Sequence, residues 1–295
     1  MPEPVAVGLV GAGPWARLAH APMLAASAHT SLAGVWARRP EAAADLAAEY
    51  GVKAFDSLAA LFDSCEAVAF SVPPAAQAEV AITAAAAGKH LLLEKPIADR
   101  LATAERLVEA IDDAGVRSMV VFTWRYTPVV RSFLADAGGL APFAGRALFV
   151  SGGMLGGHFA TPWRLERGAL VDLGLHVIDL LDAALGGVTS VEARGQLLGW
   201  ISLDLLHDSG AVSQASMCAS VPIEPQRFGI DVYGARGAIE LDCSTAVGPD
   251  TFLTVAEEFA ATVRSGQPHP LDAARGLHLQ GIIEDAEQQL LTADS

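Results

Sequence analysis

An unbroken apolar run, Val5–Val10, passes directly into Gly11-Ala-Gly13-Pro14-Trp15-Ala16, and this junction sets narrow limits on the fold. A strand reaches a helix in so few residues only through glycine. The first Gly permits the tight turn, the second lets another group approach the backbone, and the small third residue lets helix and strand pack closely. A helix opened by Pro14 also presents unpaired N–H groups and a positive dipole end, which favour an anion such as a pyrophosphate. A glycine-rich turn alone also serves ordinary loops, so its meaning depends on the elements next along the chain. Helical patterns over Pro14–Ala28, Pro40–Tyr50, Ala75–Ala87 and Leu101–Ala114 alternate with strand-like blocks at Leu32–Trp36, Ala67–Val72, His90–Leu93 and Ser118–Thr123. Solid apolar strands between helices belong to a parallel sheet covered on both faces, and right-handed crossovers make it doubly wound. Residues 1–122 are therefore expected to form an α/β domain that binds a dinucleotide.

The pattern changes near Thr123. Arg146–Gly152, Val191–Trp200, Ile201–His207, Ala211–Ser220, Phe228–Tyr233 and Ala238–Leu241 read as strands, with hairpin signals at Asp208-Ser-Gly and Gly234-Ala-Arg-Gly. One helix, Leu170–Leu185, interrupts them, and helical stretches at Thr251–Arg264 and Asp272–Leu291 come after. Successive strands with segregated helices predict an α+β domain over 123–295 with a mainly antiparallel sheet.

Thirty-four acidic residues against nineteen basic ones leave a formal charge of -15, which repels phosphate backbones and anionic lipid and argues against nucleic-acid or membrane-surface partners. Only Lys53, Lys89 and Lys95 are lysines. Cys65, Cys218 and Cys243 stand far apart, in no metal or redox spacing, as reduced thiols would. The first residues lack a basic region followed by an apolar core, and no apolar run approaches the ~18 residues of a membrane span. A soluble cytoplasmic protein is expected.

Three local patterns carry chemistry. After the second strand, Trp36-Ala37-Arg38-Arg39 stands where an NAD site usually places an acid for the ribose 2′-hydroxyl. Arginine offers a fork to a 2′-phosphate, so Arg38 and Arg39 favour NADP over NAD, although two solvated arginines would read the same. Glu94-Lys95-Pro96 ends a strand at the carboxyl edge of the sheet, where ligands bind in open α/β folds, yet such a tripeptide is often a plain surface turn. In Leu170–Leu185, the polar residues Asp172, His176, Asp179 and Asp182 recur at spacings of 4, 3 and 3, on one helical face. That face suits either a solvent stripe or a site. It lacks Lys, Arg and Glu, and Asp172 can orient and activate His176 as a general base. Gly174 between them points to close approach of a backbone or ligand. No further partner is advertised for a metal site.

These segments together resemble the Gfo/Idh/MocA family of NAD(P)-dependent oxidoreductases. The resemblance rests on Gly11-Ala-Gly13, Gly88-Lys89-His90 leading to Glu94-Lys95-Pro96, Arg125, Trp163-Arg164, the Asp172-x-Gly174-x-His176-x-x-Asp179 helix and a closing helix near Gly276. It implies a Rossmann domain followed by a domain with an open, mainly antiparallel sheet, often used to form homodimers or homotetramers. Lys95, before a proline commonly held in cis, would stabilise the forming alkoxide. His176 would take the hydroxyl proton, and Asp172 would orient substrate and His176. Gly11, Gly13, Pro14, Trp15, Arg38, Arg39, Pro73, Gln77, Glu94, Lys95 and Arg125 would contact cofactor; Lys95, His158, Trp163, Arg164, Asp172 and His176 would contact substrate. Asp179 and Asp182 are expected at the helix surface or an interface, as are His20, His29, His207, His269 and His278. The chain departs from the common pattern in having Gln77 in place of a frequent His, Thr123 in place of Asn, and Arg167-Gly168 in place of a triple glycine.

The implied activity is hydride transfer between NADP, or NAD, and a hydroxyl-bearing carbon of a sugar, cyclitol or related polyol. A non-catalytic dinucleotide-binding regulator and an NAD-dependent glycoside-cleaving enzyme are the alternatives.

Overall fold

In the computed structural model, which describes residues 3–157 and 160–293, the strand before the glycine turn is β1, Val5–Val10. It is joined by β2 (Thr30–Trp36), β3 (Lys53–Ala54), β4 (Ala67–Phe70), β5 (His90–Leu93) and β6 (Ser118–Val120). All pairings are parallel, in the order β3-β2-β1-β4-β5-β6. This is the doubly wound order whose direction reverses between β1 and β4, where such sheets bind ligands. The strands are solidly apolar because helices cover both faces: all of β4 and Leu91–Leu93 of β5 are fully buried.

The helices are α1 (Ala21–Ala26), α2 (Pro40–Tyr50), α3 (Leu58–Asp63), α4 (Pro74–Ala86) and α5 (Leu101–Ala114). Gly51 and Gly115 end α2 and α5 in the left-handed conformation, the common glycine stop signal. The sequence pattern does not reveal β3 and α3. β3 is two residues long, and α3 is a six-residue helix capped by Ser57, which accepts from the Ala60 N–H, so both are too short for a periodic pattern to show. Before α1, Ala16–His20 forms a π turn rather than the continuous α-helix that the sequence implies.

Contacts divide the chain into two units, Met1–Phe122 with Pro249–Leu277, and Thr123–Gly248 with His278–Ser295. A division into 1–122 and 123–295 thus differs in one segment. That segment carries helix α9 (Pro249–Ser265), which lies C-terminal in sequence yet bonds within the first unit. The Val120 N–H donates to the Leu271 carbonyl at 2.7 Å, and Arg264 holds Glu66 at 2.5 and 2.9 Å. Such pairings join residues far apart in sequence, so no local pattern announces them.

The second unit has strands β7 (Pro142–Val150), β8 (Val188–Gly195), β9 (Ile201–His207), β10 (Val212–Cys218), β11 (Arg227–Gly234) and β12 (Gly237–Asp242), ordered β12-β11-β7-β10-β9-β8. Every neighbour is antiparallel except β7 and β10. Helix α6 (Pro128–Gly139) precedes the sheet; α7 (Pro162–Ala169) and α8 (Leu175–Leu185) follow β7, and α10 (Ala273–Ala293) closes the chain. α8 covers one face so closely that a Cβ on Gly145 would lie 2.9 Å from Leu185 Cδ1. The opposite face is open: Leu206, Val212 and Tyr233 are exposed, and a concavity of about 950 Å³ over it is lined by Arg146, Leu148, Gln214, Arg227 and Glu240 among others. Among the described residues, no helix is long and apolar enough to cross a membrane.

Two groups of the first unit tie its stability to pH. Burial, seconded by Arg117 and Arg264 and opposed by Glu66, holds the His90 imidazole below its ordinary 6.5, and its Nδ1 accepts the Arg117 N–H at 2.9 Å. The unfolded chain therefore binds the His90 proton first, and stability falls as pH drops through about 6.5. Glu66, lowered chiefly by the Arg264 hydrogen bond, stabilises above about 4.5 and ceases to do so as pH falls through its folded value. The unfolding temperature should fall between pH 7 and pH 5, and His90→Asn, which keeps an acceptor without titrating, should flatten that decline. An equal slope in the variant would exclude His90 as the source.

Candidate active site

In the first unit the glycine turn lies at the strand-order reversal. Gly11 has φ +118°, donates its N–H to the Trp36 carbonyl at 2.8 Å, and sits so near β4 that a Cβ would lie 2.2 Å from the Ser71 carbonyl oxygen. Only glycine fits there. Gly13 is different: nothing lies within 4 Å of where its Cβ would be. The opening above Gly13, together with the helix start at Pro14, fits the pyrophosphate of a dinucleotide. Arg38 and Arg39 stand exposed between β2 and α2, and neither guanidinium has a hydrogen bond or ion pair among the described residues. Two uncommitted cations suit an added phosphate.

Beyond β5 the chain turns through Glu94, Lys95 and the cis peptide to Pro96. Gln77 holds this turn from behind. It is fully buried; its Oε1 accepts the Glu94 N–H at 2.9 Å, and its Nε2 donates to the carbonyls of Glu94, Pro96 and Ile97 at 2.8, 3.1 and 3.2 Å. An amide carries both donor and acceptor, which is why it can satisfy a turn whose backbone has left the sheet. Its carbonyl partner at Pro73, itself exposed, accepts the Gln77 N–H at 2.9 Å. On the far side of the turn α10 comes so close that a Cβ on Gly276 would meet Ile97 Cγ2 at 2.7 Å.

The Glu94 carboxylate is also occupied. Its Oε1 accepts from Trp15 Nε1 at 2.7 Å and lies 2.8 Å from His20 Nε2. Trp15 stands edge-on to Phe252 of α9 at 5.7 Å. His20, expected at the surface, is fully buried. Its signal is a single imidazole in the otherwise apolar stretch Leu18–Leu24. Of the three lysines, Lys89 donates to the Cys65 carbonyl and Lys53 lies over the Phe55 ring, so both have local structural partners. Lys95 is half-buried on the braced turn.

In the second unit the polar helix face is no solvent stripe. His176, Asp179 and Asp182 are all buried. Asp179 and Asp182, expected at a surface, are paired inside: Asp179 with Arg125 at 2.9 Å, and Asp182 with the Val188 N–H at 2.7 Å and His278 Nε2 at 2.8 Å. Burial of a carboxylate is costly unless such partners are supplied, and here each has one. Asp172 lies in a π turn, Leu170–Gly174, a geometry frequent at functional sites, and its carboxylate is 3.1 Å from Arg164 Nε. Arg164 in turn stacks on Trp163 at 4.3 Å. His176 meets the Trp124 ring edge-on at 4.5 Å, and Trp124 Nε1 is fixed on the Cys243 carbonyl at 3.0 Å. The result is an imidazole on an aromatic wall and a carboxylate fixed by a guanidinium, four residues apart.

Gly174 is explained by side chains rather than by a backbone or ligand, since a Cβ would crowd Met217 Sδ and Ile283 Cδ1 at 3.2 Å each. At Gly168, by contrast, φ is +70° and a Cβ would lie 2.1 Å from the Leu197 carbonyl oxygen. His207 is buried between the Gly186 carbonyl and Ser213 Oγ, again not at a surface. His158 lies outside the described residues. All three cysteines are unpaired and buried, and burial pushes the Cys243 thiol up to about 12. Among the described residues, no group of three or more His, Cys, Asp or Glu could hold a metal ion.

Residues 5–122 match the model of an oxidoreductase family with an NAD-binding Rossmann fold. A 3-reductase of dTDP-3,4-didehydro-2,6-dideoxy-alpha-D-glucose from Streptomyces violaceoruber is 31% identical over 260 residues, 80% of this chain and 72% of that protein. Levoglucosan dehydrogenase of Pseudarthrobacter phenanthrenivorans is 31% identical over 188 residues, 58% of this chain and 46% of that protein. A solved levoglucosan dehydrogenase with NADH and L-sorbose superposes with a TM-score of 0.87 at 19% identity, covering 98% of this chain and 97% of that one. This chain belongs to the Gfo/Idh/MocA oxidoreductase family. Its aligned segments span about half the length of several curated relatives.

Gln77→Leu, close in volume, would leave the Glu94 N–H without its acceptor and the turn's carbonyls without a donor. Denaturant unfolding should show a loss of about 2–4 kcal/mol, the range for unsatisfied buried groups.

Proposed function

We propose that this protein is an NADP-dependent dehydrogenase or reductase acting on a hydroxyl-bearing carbon of a sugar, cyclitol or related polyol. The observation that carries the reading is the bracing of the Lys95 turn at the carboxyl edge of a parallel sheet, beside a glycine turn open to a pyrophosphate. A mere surface turn does not need a buried glutamine bonded to three of its residues. Relatives named for levoglucosan, D-apiose and glucose 6-phosphate support a sugar-like substrate.

In this reading Gly11, Gly13 and Pro14 accommodate the pyrophosphate, with Trp15 and Glu94 beside them. Arg38 and Arg39 take the 2′-phosphate, and Arg125 contributes the guanidinium nitrogens that Asp179 leaves over. The nicotinamide, when bound, supplies the hydride donor or acceptor. Lys95 hydrogen-bonds the substrate oxygen and stabilises the negative charge that grows as its proton leaves. His176 removes that proton, or returns it in the reductive direction. Asp172, oriented by Arg164, positions substrate and imidazole, and Trp163 and Arg164 contribute to substrate binding. The open face of the second sheet, with Leu206, Val212 and Tyr233 exposed, supports a homodimer or homotetramer built through it. The unpaired thiols fit a reducing compartment such as the cytoplasm.

A panel of sugars and polyols, read by the absorbance of reduced nicotinamide, should identify a substrate. On it Lys95→Ala and His176→Ala should each reduce turnover by about 10²-fold or more while NADP(H) binding persists. Near-normal turnover in either variant would sink its catalytic assignment, and tight NADPH binding without turnover on any substrate would favour a regulator. Arg38→Ala should weaken NADPH by roughly tenfold and NADH hardly at all, as loss of a charge-assisted phosphate contact requires. Equal losses, measured by fluorescence titration, would point to NAD.

A further inference from the structure

Within the first unit, the side chain of His20 has no part in the proposed chemistry, yet it is the most deeply buried imidazole among the described residues, with a relative exposure of 0%. It lies at the end of the π turn after Gly13. Its Nε2 is 2.8 Å from Glu94 Oε1, and its Nδ1 is buried with no hydrogen-bond partner. A proton on Nδ1 would have no acceptor, so Nε2 is the ring nitrogen that donates, and it donates to Glu94. Trp15, five residues earlier on the same helical run, donates its indole N–H to the same oxygen. Both donors therefore converge on one atom, Oε1, and Oε2 carries no hydrogen bond among the described residues.

A leucine would fill this position without leaving a ring nitrogen unsatisfied. A half-satisfied buried imidazole calls for an explanation other than packing, and the contact it makes supplies one. Glu94 is the residue directly before Lys95, and its backbone is already held on both sides by Gln77. The side-chain contact adds a link from that turn to the helix that begins at the glycine turn. We propose that His20 is a positioning residue: through Glu94 it ties the dinucleotide-binding helix to the Lys95 turn, so that seating of the nucleotide and placement of Lys95 are set together. Trp15 is the second strut of the same tie. The identity of the nucleotide rests on the proposed function, but the mechanical link can be measured without turnover.

The chain's three lysines make the test direct. Reductive ¹³C-methylation labels Lys53, Lys89 and Lys95, and a Lys95→Arg sample assigns the third resonance. In His20→Leu the Lys95 methyl resonance should shift by more than its linewidth while those of Lys53 and Lys89 stay in place. On unlabelled protein, NADPH and NADH affinities, read by fluorescence, should fall roughly five- to tenfold, the factor expected for one lost hydrogen bond. His20→Gln places an amide donor near the Nε2 position and should restore both. Should His20→Leu fail to fold, Trp15→Phe removes the other donor and is read in the same way.

An unmoved Lys95 resonance with unchanged affinity would overturn the proposal. So would equal movement of all three lysines, which would mean general loosening, or absence of rescue by glutamine. If the unaltered protein binds neither nucleotide, the proposed function fails; the Lys95 resonance of His20→Leu then decides the positioning role by itself.

Discussion

The close approach of Gly11 to the Ser71 carbonyl is the constraint on which the nucleotide half of this protein depends. Because the residue after β1 has no side chain, the ends of β1 and β4 can abut at the point where the strand order reverses. The helical run after Gly13 can then start low over the sheet edge, and Trp15 and His20 fall within hydrogen-bond reach of Glu94 at the end of β5. Any larger residue at position 11 would force the turn away from β4 and move those donors with it. The Lys95 turn depends on the same geometry from the other side, through Gln77.

The second unit solves a different problem. α8 is buried on almost every side, so its polar residues cannot be left to solvent and must be matched one by one. Arg125 meets Asp179, His278 and the Val188 N–H meet Asp182, and the Trp124 ring stands edge-on to His176. Asp172, in the π turn at the head of this helix, is matched by Arg164, which itself rests on Trp163. Two of these carboxylates serve the fold, whereas the proposed function assigns Asp172 to the chemistry. Their sequence spacing is the same in kind; what separates them is the depth at which each is held and the partner it meets.

Much of the first sheet is legible in the sequence because its signals are local. Solid apolar blocks, glycine stops and proline starts each act within a few residues, and β1, β2, β4, β5 and β6 obey them. β3 and α3 escape because a two-residue strand and a six-residue helix are too short to repeat the periodic pattern that reveals such elements. Pairings across long stretches of chain escape for another reason. The attachment of α9 to the first unit is made by its buried face, with Val255, Ala256, Phe259 and Ala260, and by pairings such as Trp15 with Phe252 and Arg264 with Glu66, and nothing near these residues foretells it. The same holds at the candidate site. Lys95, Asp172 and His176 stand out by residue type and spacing, whereas the role of Gln77 depends on three backbone carbonyls and an N–H contributed by a distant turn.

By itself the sequence determined the doubly wound sheet, the glycine turn and the change to a mainly antiparallel second sheet. These arise from local sterics and from hydrophobic period, which the chain carries wherever it goes. Only the tertiary structure decided which polar residues are buried and what each one meets. It withdrew Asp179, Asp182 and His207 from the surface into satisfied pairs, made Gln77 the brace of the Lys95 turn, and put His20 on Glu94. A polar side chain in low-dielectric surroundings is held by whichever donor or acceptor folding brings to it, and that partner is set by three-dimensional proximity rather than by sequence spacing.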